Sequence, residues 1–340
     1  MEPIRNFLRH KTTAVKFYEA ECTNVDYEKR LVHISDRSEV KGAVSGTEIP
    51  FDYLVVAVGA ESATFGIPGV HKYGLFLKEV EDAQRIRKRI MDCVETAAFK
   101  DQSVEEMKRL LHVVVVGGGP TGVEAESYDL DNSKITEEIP YGLLVWATGN
   151  SVRPIVQSLM NQIPEQAHSR RGLTVDEHLA VRGANNVWAL GDCAVANCAP
   201  TAQVAAQQGT FLAALLDQRF EVEEMEEKLK ALGAEHCATS GPERYSIGAE
   251  MRDLHKKLRR KKQIAPFEYT HQGSLAYIGS EKAVADITWF TGDSVALGGL
   301  LTYFFWRSAY LNMCFSTRNR LLVAGDWIKS YVFGRDVCRE

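Results

Sequence analysis

Leu54–Ala57, Val113–Val116, Leu143–Trp146 and Val187–Leu190 are each apolar without a break. A continuous apolar run bounded by turn residues suits a strand covered on both faces, as in a parallel sheet. Lys16–Ala20, Glu21–Asp26 and Leu31–Ile34 alternate or cluster β-formers between turn residues and read as further strands. From Glu79 to Leu111 the period becomes helical, with Ile86, Ile90, Val94, Met107, Leu110 and Leu111 set among charged residues. That spacing predicts a helix, a break near Lys100–Ser103, and a second helix. The pattern as a whole is that of an α/β protein.

Two of the apolar runs belong to an internal repeat. EIPFDYLVVAVGA at 48–60 and EIPYGLLVWATGN at 138–150 align without gaps. Glu, Ile and Pro open both copies, and both close on Ala-x-Gly, at Gly59 and Gly149. Each copy reads as a polar turn, a buried strand, and a small pair that lets a flat ligand or another backbone come close. Two related nucleotide-binding halves are expected.

The run Val113–Val116 leads straight into Gly117-Gly118-Gly119-Pro120-Thr121-Gly122, placing G-x-G-x-x-G on Gly117, Gly119 and Gly122. In this motif the first glycine permits the tight turn, the second lets backbone approach a pyrophosphate, and the third packs helix on strand. The anion would sit on the N–H groups opening the next helix. The unit then stops short. A Rossmann crossover needs a second strand and an acid about 20 residues beyond the glycines. Here Ser127–Ser133 is turn chemistry, and Glu137 and Glu138 already belong to the second repeat. A segment missing from the middle of this half is expected. Two halves should also carry two glycine fingerprints, and the sequence has one, so the chain is expected to begin inside the first half.

Composition narrows the class. Of 340 residues, 45% are hydrophobic and 25% charged, which excludes a disordered or collagen-like chain. The net charge of −5 offers no general attraction to nucleic acid. Seven scattered cysteines without a CxxC point to reduced thiols rather than a disulfide scaffold, and no metal site is expected. No apolar stretch reaches the roughly 20 residues of a spanning helix, and MEPIRNFLRH is not legible as a leader peptide.

With these residues in view, the chain resembles the type II, rotenone-insensitive NADH:ubiquinone oxidoreductases, most of all the fungal mitochondrial ones. The likeness lies in VVVVGGGPTGVE, in Gly191-Asp192 after Val187–Leu190, in PTAQVAAQ at 200–207, and in HQGSLAYIGSEKAVAD with YFFWRSAYL. It implies two Rossmann-like FAD/NAD(P)-binding domains of the pyridine nucleotide-disulfide oxidoreductase type, both incomplete here, and a C-terminal membrane-associated helical region. It implies hydride transfer from NADH to FAD and then two-electron reduction of ubiquinone, at the mitochondrial inner membrane and without proton pumping. By the same resemblance Asp192 holds the flavin ribityl chain, with Gly59, Gly149, Gly191 and Ala202 lining the cofactors. Gln203 and Gln207, four apart on one helical face, would meet the quinone, Trp306 and Tyr310 would flank its channel, and Glu124 would lie near the nicotinamide. Pro200-Thr201 reads as a helix start whose positive end faces the flavin.

The tail is the membrane end of this reading. GGLLTYFFWRSAYLNMCF at 298–315 is dense in aromatic residues and is followed by Arg318 and Arg320, then by Trp327, Ile328, Tyr331 and Phe333. Such helices lie in a bilayer interface rather than across it. A homodimer interface also favours these residues. Residues 221–262 form a charged insert, acidic at its opening and basic at Lys256–Lys262, expected as two helices around Ser240-Gly241-Pro242. The expected organisation is a partial FAD-binding domain at 1–78 and a truncated NADH-binding domain at 79–150. A return to the FAD-binding domain follows at 151–220, then the insert at 221–262 and the membrane and quinone region at 263–340. Two other readings stay open: a flavoprotein disulfide reductase using Cys193 and Cys198, and a catalytically silent chain.

Overall fold

The computed structural model describes residues 15–36, 40, 45–119, 139–271, 273–277, 282–288, 294–314 and 316–334. Gly122 and Glu124, and with them the expected shortened crossover, lie outside the described residues. In chain order the strands are β1 (Glu21–Asp26), β2 (Leu31–Ser35), β3 (Gly46–Pro50), β4 (Leu54–Val56), β5 (Glu61–Ser62), β6 (Leu75–Phe76), β7 (Val113–Val116), β8 (Leu143–Trp146) and β9 (Asn150–Ser151). They continue with β10 (Leu173–Thr174), β11 (Val187–Ala189), β12 (Ala194–Val195), β13 (Ser274–Tyr277), β14 (Ala283–Thr288) and β15 (Ser294–Gly299). The helices are α1 (Val70–Tyr73), α2 (Val80–Ala97), α3 (Val104–Leu111), α4 (Pro154–Gln162), α5 (Ala202–Ala238), α6 (Pro242–Lys261), α7 (Leu300–Met313) and α8 (Thr317–Phe333).

The chain divides into two compact units, each of them discontinuous in sequence. Among the described residues, one holds 19–60 and 152–270, the other 15–18, 61–151 and 271–340.

In the 19–60/152–270 unit, β1, β2 and β3 form an antiparallel meander, while β4 pairs in parallel with β11 from Leu54↔Val187 to Val56↔Ala189. The core gathers around β11, whose three residues are all buried, with Val156, Leu159 and Met160 of α4 and Leu212 and Leu215 of α5. Polar clamps fix the layers. The Gln162 amide takes the Tyr27 N–H at 2.9 Å and donates to the Val25 carbonyl at 2.7 Å, tying α4 to β1. Gln166, fully buried, bonds the main chain of Thr174 with both ends of its amide and that of Arg182 with its NH2.

Three sequence expectations need correction. Lys16–Ala20 forms no strand, because no neighbouring strand offers it a ladder. Glu48-Ile49-Pro50 is not a turn; it is the end of β3, paired with β2. The charged insert does not begin a new helix, since α5 runs unbroken from Ala202 to Ala238 with no proline or stop signal at residue 221. Its partner α6 does start at Pro242, as the Ser-Gly-Pro signal predicted, and Lys228–Glu250 (2.8 Å) and Lys262–Glu226 (2.6 Å) join the two helices.

In the 61–151/271–340 unit, β6, β8 and β7 make a parallel sheet in that order, with Phe76, Trp146 and Val116 level with one another. Central β8 is the most buried of the three. The helices α2 and α3 fall where the helical period placed them, separated at residues 98–103. Ser103 caps α3 by accepting the Glu106 N–H at 3.1 Å, and a capping box between Glu79 and Asp82 opens α2. The same unit contains an antiparallel sheet β13–β14–β15 followed by α7 and α8. That sheet was not foreseen, because the aromatic and lipid-like chemistry around it dominates the sequence pattern. Among the described residues no helix is long and apolar enough to cross a membrane.

Candidate functional site

Both parallel strand sets end in glycine turns, where α/β folds bind ligands. In the 61–151/271–340 unit, β7 runs into Gly117 at φ 141°, where a Cβ would lie 2.6 Å from the Ala147 carbonyl oxygen. The turn therefore needs glycine, since the chain leaving β7 lies against the backbone just past the end of β8. Gly118 and Gly119 are different. A Cβ on either would meet nothing within 4 Å, so their backbone faces open space. Beside them, at the end of β8, lie Thr148 and Gly149, and Lys78 reaches Asn150 Oδ1 with its ammonium at 2.8 Å. Trp146 is pinned from below by its indole N–H, which donates to the Ala63 carbonyl at 2.8 Å.

In the 19–60/152–270 unit, β4 ends towards Gly59, and β11 is followed by Leu190, whose N–H makes the last ladder bond, to the Val56 carbonyl at 3.1 Å. Gly191 then turns at φ 71° into a short 3-10 segment, Gly191–Cys193, which carries Asp192. The Gly191 N–H donates to Gln208 Oε1 at 2.8 Å, so the turn is tied to α5. Thr201 is the N-cap of α5, its hydroxyl accepting the Val204 N–H at 3.3 Å. Pro200 thus stands just before the cap, not inside the first turn. Ala202 is the first helical residue and is exposed at the positive end of the helix.

Gln203 and Gln207 do share a face, and the structure shows what they hold. The Tyr269 hydroxyl donates to Gln203 Oε1 at 3.2 Å. The Gln207 amide pairs with the main chain of Thr270 in both directions, donating at 2.8 Å and accepting at 3.0 Å. One donor and one acceptor site of the Gln207 amide remain beyond that pair. Tyr269 and Thr270, like Gln208, were missed in the sequence: they lie more than sixty residues downstream, and no local period marks them.

The disulfide-reductase reading fails here on geometry. Cys193 is buried, its thiol directed at the Val56 and Leu190 carbonyls at 3.4 and 3.2 Å. Burial pushes its pKa up, opposite to what an exchanging thiolate needs.

In the tail, Trp306 and Tyr310 do meet, with ring centroids 4.6 Å apart, and Trp306 also stacks with Tyr303 and Trp327. The Arg307 guanidinium lies between Tyr303 and Trp327, 4.6 and 4.9 Å from their centroids, and so clamps α7 to α8. Outside this cluster the two helices leave large apolar side chains in the open, among them Leu301 at 85% exposure and Phe333 at 82%.

Comparison with known proteins accounts for this pairing of features. Residues 6–131 and 128–209 match the family described as pyridine nucleotide-disulphide oxidoreductase, and residues 271–336 match the NDH2 C-terminal domain. The external alternative NADH-ubiquinone oxidoreductase of Yarrowia lipolytica mitochondria is 44% identical over 418 positions, covering 100% of this chain and 72% of that protein. The chain belongs to the NDH2 family of alternative NADH-ubiquinone oxidoreductases. External NADH-ubiquinone oxidoreductase 2 of Saccharomyces cerevisiae mitochondria is 37% identical, covering 99% of this chain and 72% of the relative. The structure of NDH2 from Plasmodium falciparum in complex with NADH superposes with a TM-score of 0.72 at 25% identity, over 99% of this chain and 88% of that one. The alignment with the Yarrowia NDH2 relative is longer than this chain, so stretches of that protein have no counterpart here. The two matched stretches meet at residues 128–131, where the crossover was expected to stop short.

Proposed function

We propose that this chain is an NADH:ubiquinone oxidoreductase working at the surface of the mitochondrial inner membrane, with FAD as its bound cofactor. The observation that carries the reading is the Gly191–Asp192 turn, held between a parallel strand end and the opening of α5. This is a place for a flavin's ribityl chain and ring: Asp192 supplies an acceptor, and the α5 opening at Ala202 supplies a positive end. A Cβ at Gly59 would meet nothing within 4 Å, leaving room for a flat group. The residues present thus fit the ring and ribityl portion. For the diphosphate the sequence offers a single glycine fingerprint, at Gly117, Gly119 and Gly122, which this reading gives to NADH with Gly149 beside it. Bound flavin would supply two-electron chemistry between a nicotinamide and a quinone.

The chain's own residues bind and orient; none needs to act as a nucleophile. By its family resemblance, Glu124 would serve as the acid near the nicotinamide. Gln203 and Gln207, on one face of α5, meet the quinone head group, and Trp306 with Tyr310 lines its approach. The exposed apolar faces of α7 and α8 lie in the lipid interface, and the same surface suits pairing with a second copy of the chain. The test is NADH oxidation by purified chain given FAD, short-chain ubiquinone and vesicles. Turnover that depends on both FAD and quinone supports the proposal, and its absence overturns it.

A second reading, a catalytically silent member of the family, is favoured by one observation. The strand β4 has a single parallel neighbour among the described residues, and Val55 at its centre is 39% exposed. Parallel strands are ordinarily covered on both faces. Purified chain that stays colourless with FAD supports this reading.

A further inference from the structure

We propose that Gln208 is the positioning residue of the Asp192 turn: its amide oxygen sets how the 191–193 segment leaves the sheet and hence where the Asp192 carboxylate points. The flavin side of this inference rests on the function proposed above. Its starting point is a misplaced polar residue. The buried stripe of α5 reads Val204, Gln208, Leu212, Leu215, and Gln208 is 1% exposed in the middle of it. Leucine would fill that place without desolvating an amide, and a buried amide is retained at a cost unless it makes a needed hydrogen bond.

The bond it makes is specific. Leu190, directly after β11, is the last residue to donate into the ladder, to the Val56 carbonyl. At the next residue the chain turns to φ 71°, and the Gly191 N–H leaves the sheet. Gln208 Oε1, 2.8 Å away, accepts it where the ladder has ended. Asp192 is the following residue, so a rotation about Gly191 swings its carboxylate directly. Gln166 is the useful contrast. It is equally buried, but its amide bonds the main chain of Thr174 and Arg182 and not the N–H of Gly191. On the exposed side of the same two turns of α5, Gln203 and Gln207 tie down Tyr269 and Thr270. The opening of α5 is therefore fixed on one flank to the Asp192 turn and on the other to residues 269–270. A supporting shell of this kind holds a binding group within the small tolerance that tight binding needs.

The experiment compares the full chain with Gln208→Leu and Gln208→Glu, using hydrogen exchange of the 190–193 amides without cofactor, FAD affinity by fluorescence quenching, and global melting. Leucine removes the acceptor and keeps the volume. Exchange at the turn should rise about tenfold and FAD affinity fall about tenfold, while melting stays close to that of the parent. Glutamate keeps the acceptor and should recover both. If Gln208→Leu does not fold, Gln208→Met, which also lacks an oxygen, replaces it. Turn exchange and affinity unchanged in the variant without the acceptor would overturn the proposal, as would equal losses in the Leu and Glu variants. A parent chain that binds no FAD would sink the proposed function instead, and the exchange comparison would then decide by itself whether Gln208 holds the turn.

Discussion

Alanine at Gly117 and alanine at Gly119 should have opposite consequences, although the two residues belong to one motif. At Gly117 the backbone sits at φ 141°, and the new Cβ would lie 2.6 Å from the Ala147 oxygen and 2.8 Å from its carbonyl carbon. Neither atom is the end of a flexible side chain, so β7 and β8 must move apart. A residue with a side chain in this region costs about 1–3 kcal/mol of backbone strain. Forcing atoms into a packed site adds about 1–3 kcal/mol. The combined loss, on the order of 2–6 kcal/mol, is a large share of the 5–15 kcal/mol or so that holds an ordinary domain. At Gly119 the Cβ meets nothing within 4 Å, so Gly119→Ala should change stability by less than about 0.5 kcal/mol. It should act on the ligand instead, because a methyl group then stands where a pyrophosphate would approach the backbone. Hydrogen exchange of the 113–119 and 143–149 segments reads local stability, and NADH titration reads binding. Equal destabilisation by the two substitutions, or a tolerated alanine at Gly117, would refute the reasoning.

Cys193 should resist alkylation at pH 8 in the folded chain and react on denaturation, since burial raises its pKa and its thiol points into the core; labelling followed by mass spectrometry checks this. The α5–α6 hairpin should be insensitive to pH through the neutral range and weaken at both ends. The hydrogen bond from Lys262 lowers the Glu226 pKa, so that contribution is present above the ordinary glutamate pKa near about 4.3 and is lost as pH falls through the depressed folded value. The hydrogen bond to Glu250 raises the Lys228 pKa, so that contribution holds below the ordinary lysine pKa near about 10.4 and is lost as pH rises through the raised folded value. Far-UV circular dichroism across pH, repeated in high salt that should blunt both changes, reads the effect. Replacing Leu301 and Phe333 together by Asp should lower binding to vesicles several-fold without changing helix content, as sedimentation with vesicles would show.

Legibility in the sequence followed the range of the interactions concerned. The break between α2 and α3, the runs that became β7, β8 and β11, and the stop before Pro242 all depend on neighbours within a few residues, and each was readable. Residues 16–20 show the limit: strand-like alternation without a partner makes no strand. The helix α5 was divided at residue 221 because its charge changes there, yet charge does not terminate a helix when propensity and packing continue. The strands β13, β14 and β15 were hidden among motif residues whose likeness spoke for function and not for backbone. In the candidate site, the turns at Gly117 and Gly191 are legible because turn chemistry is local, while the role given to Asp192 comes from the family resemblance. Gln208 is not legible, since a glutamine on an apolar stripe gains its meaning only from Gly191, seventeen residues before it and across a turn.

The central claim is that these turns hold a redox-active flavin which NADH can reduce, and the absorption spectrum of purified chain titrated with FAD tests it most directly. The account predicts a flavin band that saturates at one FAD per chain, fades on adding NADH under argon and returns on adding ubiquinone. A chain that stays colourless at excess FAD, or a bound flavin that NADH leaves unchanged, would contradict it.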